Sequence, residues 1–244
     1  MKEDLISRHR PKKLEDVWGN DGVKKNWRER IKRFDPPHSI ILDGKMGVGK
    51  TTLARIFCEE IMQCHVFSNK FSNYPIIVTT GKQYKEYDGS MDADYKSLSS
   101  FIISTYGLMH AAYVCYMDEA QSLSNKKQES FLKPVEDREN LYLIFSTTQI
   151  KKIIEPLKQR SVIYPIDEPS MPVLIKEVGC VAKREGLNLL PDALEYLIIK
   201  SDRVPRKCVK NLGELLHYKE PITKEMVEEI YNPGWGPSWG RTEK

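Results

Sequence analysis

Gly44-Lys45-Met46-Gly47-Val48-Gly49-Lys50-Thr51 satisfies the pattern G-x-x-x-x-G-K-[ST] at each fixed position. Residues of those types at that spacing describe a phosphate cradle. Glycines let the backbone take left-handed angles and turn successive N–H groups toward phosphate oxygens. Lys50 supplies positive charge for the β and γ phosphates, and the Thr51 hydroxyl is placed to reach a Mg²⁺ bound to them. Thr52 continues into a helix whose N-terminal dipole end adds to the same field. The chemistry therefore needs a strand before the loop and a helix after it. Ile40-Ile41-Leu42 is an apolar run fit for a buried parallel strand, and Thr51 to Phe57 opens a helical pattern.

A second cluster, Asp118-Glu119-Ala120-Gln121, closes the apolar run Ala112 to Met117. Beside a phosphate loop, a carboxylate at a strand end can hold the metal, and its neighbour can orient or deprotonate an attacking water. We assign Asp118 to the metal and Glu119 to the water. A third apolar run, Leu141 to Phe145, ends in Ser146-Thr147-Thr148-Gln149, where a polar side chain can sense the γ phosphate.

The elements that must carry these groups alternate. Pro75 to Thr79 and Val162 to Tyr164 read as further strands, whereas Lys82 to Asp94 reads as a polar, glycine-interrupted connection. Helical patterns cover Asn26 to Phe34, Asp94 to Tyr106 (apolar stripe Tyr95, Leu98, Phe101, Ile102) and Gln128 to Asp137. A further one, Ile153 to Arg160, is interrupted by Pro156. Strand and helix in alternation argue for an α/β fold: a parallel sheet with helices on both faces and the ligand at the carboxyl ends of the strands. After Asp167-Glu168-Pro169 the pattern turns wholly helical, with segments Met171 to Glu185, Pro191 to Lys200, Arg206 to Leu216 and Ile222 to Ile230. Asn232 to Lys244 is Gly/Pro-rich and carries Trp235 and Trp239, which either anchor in a partner or fold back on the helical segment.

The 244 residues suffice for one large core or two unequal domains, and a net charge of +4 tolerates a polyanionic partner without demanding one. Five scattered cysteines with no C-x-x-C pair support neither a disulfide framework nor a zinc site. The charged N-terminus has no apolar leader and no run approaches a membrane span, so a cytoplasmic protein, or a nuclear one in a eukaryote, is expected.

Four stretches resemble the AAA+ ATPases, and most closely the clamp-loader subunits of DNA replication, gamma/tau-like and replication-factor-C small-subunit-like. RHRPKKLEDVWGN is similar to the clamp-loader N-terminal box that contacts adenine, with His9 in place of a Tyr and Asn20 in place of a Gln. YMDEAQSLSNKKQESFLKPVEDRENLYLIFSTTQ resembles the family's run from the acidic pair to the sensor strand. IKKIIEPLKQRSVIY is similar to the run ending in S-R-C, with Gln159 and Ser161 at the flanking positions, and DRVPRKCVKNL is in register with the second sensor helix.

The resemblance implies ATP and Mg²⁺ as cofactors and the hydrolysis of ATP to ADP and phosphate. It carries adenine contact to Arg10, Pro11 and Val17, γ-phosphate sensing to Thr148 (Thr147 the next choice) and a second sensor to Arg206. Arg160 becomes a finger acting in trans on a neighbour's ATP, and Lys96, Lys126 and Lys127 become contacts to primed or double-stranded DNA. The implied domains are an adenine-contacting segment (1–35), a P-loop core (36–167), a helical lid (168–231) and a flexible tail (232–244). The family's third domain, a collar that holds its rings together, has no counterpart in these stretches. Partners are then expected to be other AAA+ subunits, a collar-supplying protein, and a sliding clamp or similar ring. A helicase loader or other DNA-remodelling AAA+ ATPase, a P-loop small-molecule kinase, and a non-hydrolysing nucleotide switch stand as alternatives.

Overall fold

The computed structural model describes residues 4–67, 85–104, 113–137 and 141–231. The strand expected at Pro75–Thr79 and the tail bearing Trp235 and Trp239 lie outside these residues. The described chain forms two compact units: Pro11–Asp167, and the residues up to Arg10 together with those from Glu168 onward.

Helix α1 (Leu5–Arg8) belongs to the second of these. The first holds α2 (Asp21–Lys32), β1 (Ser39–Asp43), α3 (Lys50–Phe67), β2 (Lys85–Asp88), α4 (Asp92–Ser104) and β3 (Tyr113–Asp118). It continues through α5 (Asn125–Glu129), α6 (Leu132–Asp137), β4 (Leu141–Thr147), α7 (Glu155–Gln159) and β5 (Val162–Pro165). Its strands lie in the order β2-β3-β4-β1-β5, all parallel. β4 is buried along its whole length and β1 and β3 nearly so, because the sheet is covered on both faces. Alternate residues of each strand feed opposite cores. Ile40, Leu42, Val114, Tyr116 and Ile144 pack with Trp27 of α2 and Leu53, Phe57 and Ile61 of α3. Ile41, Cys115, Met117, Leu143 and Phe145 pack with Leu98 and Ile102 of α4, Phe131 and Leu157.

Three local expectations change. Lys85–Asp88 is not a loop but the edge strand β2. With Tyr87 as its one buried side chain it has too little apolar alternation to show in the sequence. The single helix expected over Gln128–Asp137 is two short helices. They break where Phe131 turns into the core, and Pro134 sits in the first turn of α6, where no intrahelical N–H is required of it. Likewise Pro156 opens α7 rather than interrupting it.

The second unit contains α8 (Met171–Arg184), α9 (Pro191–Lys200), α10 (Pro205–Glu214) and α11 (Lys224–Tyr231). Prolines in the first turns of α8, α9 and α10 mark their starts. Leu174, Val178, Leu197, Cys208, Leu212 and Val227 are among its buried side chains. Helix α1 packs on α10, and the two residues after its buried Leu5 turn reach Glu185. His9 Nε2 lies 2.6 Å from one carboxylate oxygen and Arg8 donates to the other at 2.5 Å.

Candidate active site

The phosphate loop leaves β1 between two neighbouring strands. Gly44 N–H donates to the Thr147 carbonyl at the end of β4 (3.2 Å), and a Cβ at Gly44 would stand 2.3 Å from the Ile166 carbonyl oxygen beyond β5. No side chain fits there. Gly47 and Gly49 take φ of 84° and 114°, angles open to glycine, so the loop can wrap and deliver its N–H groups to one centre. Val48 is buried and pins the loop from below, whereas Met46 stands exposed at its tip. Lys50, buried at the start of α3, donates to the carbonyls of Gly44 (2.6 Å) and Lys45 (2.8 Å), which holds its ammonium inside the loop. Thr52 follows on the first turn, partly buried.

Strand register brings the acidic pair alongside. β1 pairs with β4 (Asp43 opposite Thr147) and β3 with β4 (Met117 opposite Phe145), so the three carboxyl ends stand side by side. Asp118 Oδ2 accepts from the Thr51 hydroxyl (3.2 Å), and Oδ1 accepts from the Glu119 N–H (3.0 Å) and from the Ser146 hydroxyl. Tyr116 OH reaches Ser146 Oγ at 3.0 Å; burial, and then the Asp118 charge, push its phenol far above the ordinary range. A threonine hydroxyl and a carboxylate oriented by three donors form a hard oxygen set of the kind Mg²⁺ takes alongside phosphate oxygens.

Glu119 occupies the left-handed region (φ 51°, ψ 40°), a conformation that disfavours a non-glycine residue by about 1–2 kcal/mol. Burying one large apolar side chain contributes about 1.5–3 kcal/mol, so the sheet beneath can hold this strain. Gly89 makes room for it: its N–H donates to the Asp118 carbonyl at 2.8 Å, and a Cβ there would lie 2.8 Å from the Glu119 carbonyl oxygen. The turn aims the Glu119 carboxylate at Gln121 Nε2, which also donates to Thr148 Oγ1 (3.1 Å), while Thr148 N–H donates to Gln121 Oε1 (3.3 Å). The neighbouring Thr147 is buried, and its hydroxyl accepts from Gln149 N–H (3.0 Å) within its own turn. An open cleft of about 590 Å³ runs beside the array, with Gln121, Asn125, Lys151, Lys152 and Lys158 in its walls.

The structure thus brings together the Gly44–Thr51 loop, Asp118, Glu119 and Thr148. Ser146, Gly89 and Gln121 are contributors that motif spacing did not reveal, because each depends on which strands are neighbours. The remaining expected residues have other partners or belong to the helical unit. Arg160, at the end of α7, bonds Glu136 of α6 and the Pro156 carbonyl (3.0 Å) and no member of the cluster. Lys96 and Lys127 both pair with Asp92, Lys127 also lying 4.7 Å from the Tyr95 ring centroid, and Lys126 is exposed beside them. Those two ammoniums, Lys127 first, hold the Asp92 carboxyl below its usual range. Pro11 begins the core unit; Val17 is buried and its carbonyl accepts from Lys24 (3.0 Å). Asn20, itself left-handed, exchanges two hydrogen bonds with the Asp167 backbone. Arg10, partly buried, and Arg206, exposed in the first turn of α10, belong to the helical unit. Among the described residues no helix is long and apolar enough to cross a membrane, and the cysteines are free thiols.

Residues 40–164 match the ATPase family associated with various cellular activities (AAA). The chain is 23% identical over 230 residues to the replication factor C small subunit of Natronomonas pharaonis, covering 94% of this chain and 67% of that one. It is 28% identical to the same subunit of Methanoregula boonei, with shares of 92% and 67%. To the DNA polymerase III subunit gamma/tau of Mycoplasma pneumoniae it is 25% identical, over 95% of this chain and 35% of that one. Among solved structures, the RuvB Holliday junction branch migration motor of Thermotoga maritima is similar in fold, with a TM-score of 0.71 at 19% identity over 92% of this chain and 72% of that one. The expected likeness to clamp-loader subunits holds in these relatives, and a match over more than half the length, on a parallel sheet with a phosphate loop and an acidic pair at its carboxyl edge, establishes that the chain belongs to the AAA family of ATPases.

Proposed function

We propose that this chain is the ATP-hydrolysing subunit of a clamp-loader assembly, which places a ring-shaped sliding clamp on primed DNA. The observation that carries the hydrolytic part is the meeting of Thr51, Asp118, Glu119 and Thr148 at three adjacent strand ends. The replication part rests on the similarity to replication factor C small subunits.

In this reading the loop N–H groups and Lys50 bind the β and γ phosphates, and Thr51 and Asp118 hold Mg²⁺. When bound, the metal neutralises charge on the transferring phosphoryl group. Glu119 orients a water whose oxygen bonds to the γ phosphorus as the bond to the β–γ bridging oxygen breaks. The water's proton passes to the Glu119 carboxylate, and ADP and phosphate leave. Thr148 contacts the γ phosphate. Arg10, Pro11 and Val17 contact adenine, and Arg206 serves as the second sensor. Arg160 acts on the nucleotide of a neighbouring subunit, a contribution worth roughly 10³–10⁵ in turnover where such fingers have been measured. Lys96, Lys126 and Lys127 face the phosphates of DNA held by the ring of subunits.

The test mixes variants with the partner proteins present. Arg160→Ala and Lys50→Ala each lack a different half of a shared site, so the mixture is expected to hydrolyse ATP where neither does alone. Co-assembly without complementation would rule out the trans arrangement. Stimulation of ADP release by ring protein plus primed DNA is expected for the loader; an equal rate without the ring protein would favour a DNA remodeller instead.

A further inference from the structure

We infer that Gln121 is a positioning residue for hydrolysis, one that locks the Glu119 carboxylate and the Thr148 hydroxyl into a single array. The inference rests on the reading of Glu119 as the group that activates water.

A glutamine amide offers two N–H donors and one acceptor oxygen, and Gln121 uses all three functions on two residues. Nε2 donates to Glu119 Oε2 and to Thr148 Oγ1 at 3.1 Å, and Oε1 accepts the Thr148 N–H at 3.3 Å. Among the described residues it is the one side chain bonded to the Glu119 carboxylate. The backbone explains the aim. Glu119 in the left-handed region starts a tight turn (Ser122 N–H to Glu119 O, 2.9 Å; Leu123 N–H to Ala120 O, 3.2 Å), and the buried Ala120 anchors it. That turn sends the residue two positions after Glu119 across to the end of β4. Aspartate or serine there would be too short to span both partners, and glutamate would set oxygens against the Glu119 carboxylate. Without the bridge, the Glu119 carboxylate would lose its fixed direction, and a misplacement on the order of 1 Å in such a group can lower turnover about 10²-fold.

Gln121 is half-buried at the wall of the open cleft, so truncating it opens space to solvent rather than a sealed void. Gln121→Ala and the isosteric Gln121→Glu are therefore expected to fold, to bind MgATP within about twofold of the unaltered chain, and to hydrolyse it about 10–100-fold more slowly in the assembled, partner-containing enzyme. A structural role alone would move affinity and melting temperature along with turnover. In a double-mutant cycle, Gln121→Ala added to Glu119→Gln is expected to slow hydrolysis by less than it does in the unaltered chain, since part of its effect runs through Glu119. A readout independent of turnover is the Gln121 side-chain amide signal in the nitrogen–proton spectrum of the full chain, identified by its loss in Gln121→Ala. It should shift on Glu119→Ala and on Thr148→Ala. An amide signal indifferent to Glu119→Ala, or full turnover by Gln121→Ala while Glu119→Gln is inactive, would overturn the inference and leave Glu119 in its role. Normal turnover by Glu119→Gln would instead overturn the underlying reading, and this one with it.

Discussion

The phosphate loop and the acidic turn lie at the same edge of one sheet, yet they are built by opposite means. The loop is a backbone device: Gly44 admits a carbonyl where no Cβ fits, Gly47 and Gly49 take angles that side chains avoid, and Lys50 is held by main-chain oxygens. The turn is a side-chain device. Glu119 adopts a left-handed angle although it is not glycine, and Ser146, Thr51 and Gln121 fix the two carboxylates through hydrogen bonds. A loop that only has to present N–H groups can be made of glycine. A turn that must present a carboxylate cannot, so the room it needs comes from the glycine opposite it, Gly89.

The contrast predicts that substitutions on the two sides fail differently. The largest effect belongs to Glu119→Gln, which should bind MgATP as the unaltered chain does and lose about 10²–10⁴ in cleavage, read by single-turnover hydrolysis. Lys50→Ala should fail one step earlier, at binding, weakening nucleotide affinity by at least about 10–100-fold, the equivalent of one charge-assisted hydrogen-bond set, in a calorimetric titration. Equal losses of binding and cleavage in both variants would erase the division of labour. Gly44→Ala comes next: its new methyl meets backbone rather than a flexible side chain, and overpacking of this kind destabilises by about 1–3 kcal/mol, which denaturant unfolding would register. The smallest effect is the sharpest. It is the stability of Glu119→Gly, which should rise by about 1 kcal/mol through relief of the left-handed angle. A stability loss there would mean that the Gln121 bond outweighs the strain.

Much of this was legible in the sequence where the determinants are local. β1, β3 and β4 show as apolar runs because they are largely buried on both faces, and β5 shows as the short run Val162 to Tyr164 although it is an edge strand with Ile163 exposed. The loop, Asp118 and Glu119 show by spacing, and α8, α9 and α10 by prolines at their starts. What stayed hidden depends on neighbours far along the chain. Lys85–Asp88 is an edge strand with a single buried side chain, and an Arg55–Glu86 ion pair (2.7 Å) fastens it to α3. Gln121 sits in plain view after the acidic pair, but its meaning comes from the β3–β4 pairing that sets Thr148 beside it. The packing of α1 with α10 was hidden for the same reason.

The clasp of Arg8 and His9 on Glu185 makes the helical unit discontinuous in sequence: its first strand of polypeptide is supplied by the start of the chain and the remainder by its last third. A truncation at residue 10 would therefore act as a lesion of the helical unit, and a fragment beginning at Glu168 would lack the Leu5 contact. The clasp is also acid-labile. The His9 hydrogen bond, and then Arg8, hold the Glu185 carboxyl below its usual range, so its stabilising contribution is present above the unfolded carboxyl value and is lost as pH falls through the lower folded one.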